Sequence, residues 1–230
     1  MNTISVAWAA VTGARHLRVA RNGQDAAAAW AGAGMGAVVV CDGCSAGAGS
    51  EVGARLGAQL VIAQLAARLS DGERPRALWS GVRAQVVAAL GRLARAMPGD
   101  PAAVIREHFL FTIVAAAVAG DEACVWAIGD GAYAFRVERT PGGAPDMPDV
   151  RDRSAEVARD PLHVLGPFAD NQPPYLAYDL LGMPTAAHLD VRDARAGQIV
   201  VATDGAAELD GAGLFDGLLE PRTLAHPDGL

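Results

Sequence analysis

The chain has 230 residues, 51% of them apolar, with a formal net charge of -7 and arginine as its only strongly basic residue type. That is enough apolar material for one sizeable domain. Without a long arginine-rich stripe the chain offers no clustered positive charge for phosphate backbones, so no nucleic-acid partner is expected.

No apolar run reaches the length of a membrane span, Leu110–Ala119 being too short. Met1–Val6 lacks the basic region of a secretory signal. The three cysteines, Cys41, Cys44 and Cys124, make an odd count, which argues against a disulfide framework. A cytoplasmic location without a membrane partner is therefore expected.

In chain order, Ile4–Trp8 and Ala26–Trp30 read as strands around an irregular polar segment, Gly13–Gln24, and Ala37–Cys41 reads as a further strand. Gly43–Gly49 is a glycine-rich loop. From Ser50 the spacing turns helical, with Val52, Leu56, Leu60, Leu65 and Leu69 recurring, Ser50 as N-cap and Glu51 in the first turn. A second helix is predicted over Arg76–Met97, stopped by Pro98 and Gly99. Phe109–Ala119, Glu122–Ile128 and Ala132–Val137, separated by short glycine turns, read as an antiparallel meander. Thr140–Pro174 is rich in Pro, Gly and Asp, and is expected to be functional or partly helical around Ser154–Arg159. Tyr175–Asp179, Ala186–Asp190 and Gln198–Thr203 return to strand. There is no internal repeat and no convincing linker, so residues 1–230 read as a single α+β domain.

Three of these strands end in Asp-Gly: Asp42-Gly43, Asp130-Gly131 and Asp204-Gly205. One such step is ordinarily only a turn. Three carboxylates delivered from strand ends to one spot repel one another unless a cation lies between them, so the set predicts a hard-metal site at the rim of a β core. Competing motifs are weaker. Cys41 and Cys44 form a C-x-x-C, but zinc lacks two further ligands at suitable spacing, and Cys41 ends a strand where redox motifs open a helix. Cys41 and Cys124 are read as small core residues, and Trp8, Trp30, Trp79 and Trp126 as core. Gly47 and Gly49 are not followed by Lys-Ser/Thr, which excludes a P-loop.

The order of these motifs resembles the metal-dependent protein phosphatases of type 2C, the PPM family, in a bacterial branch with a Gln-Asp first motif. Gly13–Asp25, with His16 and Gln24-Asp25, is similar to the opening motif. Cys41-Asp42-Gly43 with Ser50–Ala54, then Thr112 and Ile128–Tyr133, then Val201–Gly205, are similar to the later ones. The resemblance implies an α-β-β-α sandwich of two antiparallel sheets flanked by helix pairs. It implies two Mn²⁺ or Mg²⁺ ions, with a third as an addition, and hydrolysis of phosphoserine or phosphothreonine on a protein substrate. A cognate Ser/Thr kinase is the implied signalling partner. It makes Asp42 the bridging ligand, Gly43 a carbonyl ligand, Asp25 and Asp204 further ligands, and Asp42 and Asp204 the residues on which catalysis depends. It places Asp130, with Glu208, at the third ion. His16 and either Arg18 or Arg21 are the substrate-binding candidates.

The chain also departs from that pattern. Gln24 stands where Glu is usual, which keeps an oxygen ligand and removes a charge. Cys44 stands where many relatives carry a histidine proposed to protonate the leaving group. A final strand preceded by Asp-Asp or Asp-Asn is expected but missing, Asp228 being a poor substitute, so a C-terminally truncated sandwich is the expectation. These departures carry a rival reading, a pseudophosphatase kept as a regulatory binding module.

Overall fold

The computed structural model of the protein describes residues 4–137, 158–159, 162–193 and 197–207. A short helix α1 (Ala14–Arg18) leads into strands β1 (Asp25–Gly32) and β2 (Met35–Asp42). Helices α2 (Ser50–Ser70), α3 (Pro75–Ala96) and α4 (Pro101–His108) follow, and then strands β3 (Ile113–Ala119), β4 (Glu122–Ile128) and β5 (Gly131–Val137). The remaining elements are β6 (Ala158–Arg159), β7 (His163–Leu165), β8 (His188–Asp193), β9 (Gly197–Ala202) and α5 (Asp204–Ala207).

The strands form two antiparallel sheets. The first has the order β1-β2-β3-β4-β8. The second is built around β5, which pairs with β9 along one edge and with β6 and β7 along the other. Alternation along the strands explains why the two sheets stack. On β2, Ala37, Val39 and Cys41 join the core beneath α2, α3 and α4, while Val38 and Val40 face the second sheet. On β4, Cys124, Trp126 and Ile128 face the helices, whereas Ala123, Val125 and Ala127 meet Tyr133 and Phe135 of β5. Because both faces of the first sheet are buried, its strands read as unbroken apolar runs and not as alternating ones. Trp126 is fully buried and stacks on Trp79 of α3 at 5.9 Å between ring centroids.

The helical layer is fastened by one buried carboxylate. Glu122 is only 2% exposed. Its Oε1 accepts the Arg76 backbone N–H at 2.7 Å, satisfying a donor that the first turn of α3 cannot use internally. Its Oε2 pairs with the Arg76 guanidinium, with Arg74 also nearby. Burial works against the charge, but these bonds outweigh it and hold the carboxyl below its ordinary pKa. A depressed folded-state pKa means the stabilisation is full above the unfolded value and is lost as pH falls through the folded one. Glu122→Gln is therefore expected to cost about 2–3 kcal/mol at pH 7. In urea melts the difference from wild type should shrink as the pH drops below 4.5, the carboxyl's ordinary value.

Several local expectations are corrected. Ile4–Trp8 forms no strand, and Trp8 is 57% exposed instead of belonging to the core. Gly49, not Ser50, is the N-cap of α2, and Ser50 is the first helical residue. Helix α4 lies in the stretch between the second predicted helix and the β3 region; Asp100 caps it by accepting the Ala103 N–H at 3.1 Å. Tyr175–Asp179 is not a strand, because Leu176–Leu181 forms a 3₁₀ segment tied to α3 by the Arg83–Asp179 ion pair. The meander breaks after β4, since β5 leaves the first sheet for the second. Ala158–Arg159 is strand, against the alternative that the stretch is partly helical there, and 154–157 lie outside the described residues. Helices α2 and α3 cover the first sheet, but among the described residues the only α-helix after β5, where the second flanking pair was expected, is the short α5.

Candidate metal centre

The pairing registers carry four aspartates to one rim. Asp25 and Asp42 are direct cross-strand partners at the ends of β1 and β2. On the second sheet Ala132 pairs with Ala202, so Asp130, two residues before the one, comes opposite Asp204, two residues after the other. The turn Gly129–Gly131 carries the chain from the end of β4 to the start of β5, which places Asp130 where the sheets part. Gly129 has φ +92°, and a Cβ on it would lie 2.6 Å from Thr112 Cγ2, so the crossover demands glycine.

Like charges directly opposite each other destabilise a sheet. The strain shows in the ionisation of these groups. Burial, then Asp25, Asp204 and Asp130, and finally a hydrogen bond with Asp204 push the Asp42 carboxyl up to about 8. Asp25 is also raised, by burial and by Asp204, although a hydrogen bond from the Thr203 hydroxyl and the nearby His16 pull the other way. Asp130 is raised by burial and by Asp204.

Neutral groups brace the cluster. The Asp42 N–H donates to Thr112 Oγ1 at 3.3 Å, and the Thr112 N–H returns a bond to the Asp42 carbonyl at 2.8 Å. The Gly43 N–H donates to the Gln24 carbonyl at 3.1 Å. Gln24 itself is buried, and its side-chain nitrogen donates to Ser50 Oγ at 2.8 Å and to the Cys44 carbonyl at 3.3 Å. A main-chain carbonyl can only accept, which fixes the amide's orientation.

Asp25, Asp42, Asp130 and Asp204 are thus brought together, with Gly43 beside Asp42 and His16 close enough to act on Asp25. Arg18 and Arg21 are exposed and make no ion pair with these carboxylates among the described residues. Glu208 and Asp228 lie outside the described residues. Thr112 bracing Asp42 and Thr203 bridging to Asp25 have no separate role in the sequence reading. A hydroxyl residue across the strand from Asp42 and another immediately before Asp204 are the signals that could have found them. A groove of about 360 Å³, lined by Trp8, Val11, Thr12, Asp25, Arg55 and Gln59 among others, opens beside Asp25. Cys41 is wholly buried, and burial pushes its thiol far up, so it offers no reactive thiolate.

Among the described residues, no three carboxyl, imidazole or thiol groups stand close enough to enclose an ion as they are. The donor set nevertheless suits a hard divalent cation. It consists of oxygens, it is too acidic to be at ease without positive charge, and Mg²⁺-like ions keep several waters and need few direct carboxylates.

The profile of the family described as Protein phosphatase 2C matches residues 12–225. The chain belongs to that family. Its fold is similar to the crystal structure of the Mycobacterium tuberculosis serine/threonine phosphatase PstP/Ppp, with 18% identity, 87% of this chain and 80% of that chain covered, and a TM-score of 0.52. Staphylococcus aureus Stp1, also a serine/threonine phosphatase, gives 13% identity, 85% and 74% coverage, and a TM-score of 0.51. At these identities the likeness establishes the fold, an α+β arrangement with two antiparallel sheets. No curated protein is matched by sequence. No helix among the described residues is long and apolar enough to cross a membrane.

Proposed function

We propose that this chain hydrolyses phosphoserine or phosphothreonine on proteins, using Mn²⁺ or Mg²⁺ held at the rim where Asp25, Asp42, Asp130 and Asp204 meet. The observation that carries the reading is the register that sets Asp25 opposite Asp42 and brings Asp130 toward Asp204 at the same rim, with no arginine paired to Asp42 among the described residues. A family that dephosphorylates proteins supplies the reaction class.

In this reading Asp42, reached by all three other aspartates, would hold the two ions together with Asp25, Asp204 and the Gly43 carbonyl. Asp130 and Glu208 would hold a third. The bound ions would supply an activated water and offset the charge of the phosphoryl group. The chain's own residues set the positions. Thr112 fixes Asp42, Thr203 fixes Asp25, and His16 stands near Asp25. Arg18 and Arg21, exposed around the end of α1, are the cations available to that phosphate. Phosphoproteins are the proposed substrates, and a Ser/Thr kinase the proposed partner.

The test is turnover of an arylphosphate and of a phosphothreonine peptide with Mn²⁺, and again with chelator. Saturable turnover that the chelator abolishes is expected; none from the folded chain would overturn the assignment. A second reading, a binding module on the same fold, is favoured by one observation: the inward-turned Gln24 amide. It predicts phosphopeptide binding without turnover, whatever the metal.

A further inference from the structure

We infer that Gln24 is a positioning residue for the metal centre, acting through its amide nitrogen, and not an oxygen ligand; the inference rests on the metal-site reading above. Gln24 is 8% exposed. It grips the loop between β2 and α2 at two points and the first residue of α2 at a third. Its backbone carbonyl takes the Gly43 N–H at 3.1 Å, and its side-chain nitrogen reaches the Cys44 carbonyl at 3.3 Å and Ser50 Oγ at 2.8 Å. The loop's other ties include the Cys44 N–H on the Leu110 carbonyl, the Gly49 N–H on the Glu107 carbonyl and a side-chain hydrogen bond between Cys44 and Tyr175. Gln24 ties it to the chain entering β1.

That placement matters because Gln24 precedes Asp25 in the chain, while Gly43 follows Asp42. The clasp therefore sets the distance between two carboxylates from neighbouring strands and the direction of the Gly43 carbonyl. It also seats the first residue of α2. An amide is needed at this point: the Cys44 carbonyl accepts only, and a carboxylate in the same place would face it as a second acceptor. A glutamate could keep a bond from the Ser50 hydroxyl, but not the one to Cys44.

The two roles predict opposite signs. If Gln24 were an oxygen ligand, Gln24→Glu would add a charge to the site and tighten Mn²⁺ binding. If it is a clasp, Gln24→Glu loosens the loop and weakens Mn²⁺ binding by roughly tenfold, the scale typical for residues supporting metal ligands. Ser50→Ala removes the other end of the shorter bond and should weaken Mn²⁺ binding by up to about tenfold; unchanged Mn²⁺ affinity in this variant overturns the clasp.

The measurement is calorimetric Mn²⁺ titration of the full chain and both variants, with thermal midpoints taken on the same samples. Weaker Mn²⁺ binding by both variants, at midpoints that leave them folded, supports the clasp. Tighter binding by Gln24→Glu, or lowered midpoints with unchanged Mn²⁺ affinity, overturns it. Should Gln24→Glu fail to fold, Ser50→Ala decides alone. Amide hydrogen exchange at Gly43 and Cys44, read without metal, keeps the two failures apart. Wild type that binds no Mn²⁺ contradicts the metal-site reading, whereas unchanged exchange at Gly43 in both variants contradicts the clasp.

Discussion

Asp42→Asn is expected to lower metal-dependent turnover by roughly 10²-fold or more while making the metal-free protein more stable. The two effects share one cause. Asp42 is half-buried opposite Asp25, with Asp204 and Asp130 also acting on it, and its carboxyl is pushed up to about 8. A folded-state pKa above the ordinary 3.8 means the folded protein keeps a proton that the unfolded chain releases. Its contribution to stability is full below the unfolded value and is lost as pH rises through the folded one. Asparagine never ionises, so the variant's advantage should be small near pH 4 and grow to on the order of 2 kcal/mol by pH 8. Urea melts across that range in chelator, set beside arylphosphate turnover with Mn²⁺, check both halves. Asparagine that leaves turnover intact would remove Asp42 from the centre.

Gly131→Ala should cost about 2–4 kcal/mol and impair the same centre without touching any carboxylate. Gly131 opens β5 with φ +133°, a conformation that side-chain-bearing residues rarely adopt. A Cβ there would lie 2.7 Å from the Ala202 carbonyl oxygen and equally close to Val114 Cγ2. Relieving either clash moves β5 away from β9 or from the first sheet, and Asp130 and Asp204 stand just beyond that pairing. Gly120→Ala is the control. Its φ is +61°, and nothing lies within 4 Å of the added carbon, so only about 1 kcal/mol is expected. Denaturation midpoints and Mn²⁺-dependent turnover of the two variants provide the comparison. Equal losses would mean that the crossover does not position the site.

The aspartates at the rim were legible because each ends a run whose composition marks it as a buried strand: Val38–Cys41 before Asp42, Val125–Ile128 before Asp130, and Val200–Ala202 before Asp204. What those runs could not show was which sheet each strand enters. The step from Ile128 to Gly131 looks like a hairpin turn, and only the pairing of β5 with β9 reveals it as a crossing between sheets. Local pattern also misjudged Tyr175–Asp179, whose apolar residues face α3 from a 3₁₀ segment held by Arg83, a partner far away in sequence. The role of Gln24 was hidden for a related reason. Its side chain is a possible oxygen donor in any linear reading, and only the positions of Ser50 and the Cys44 carbonyl turn its nitrogen inward. Residues 208–230, with Glu208 and Asp228, lie outside the described residues.

The most direct measurement is Mn²⁺ titration of the full chain by calorimetry at pH 7, repeated in buffers of different ionisation heat so that proton release is counted. Because Asp42 holds its proton up to about pH 8 in the metal-free centre, an ion that occupies the rim must displace it. Saturable binding with release of about one proton per chain at pH 7, falling toward none at pH 9, is the predicted result. The absence of saturable binding, or binding with no proton release at pH 7, would contradict the account.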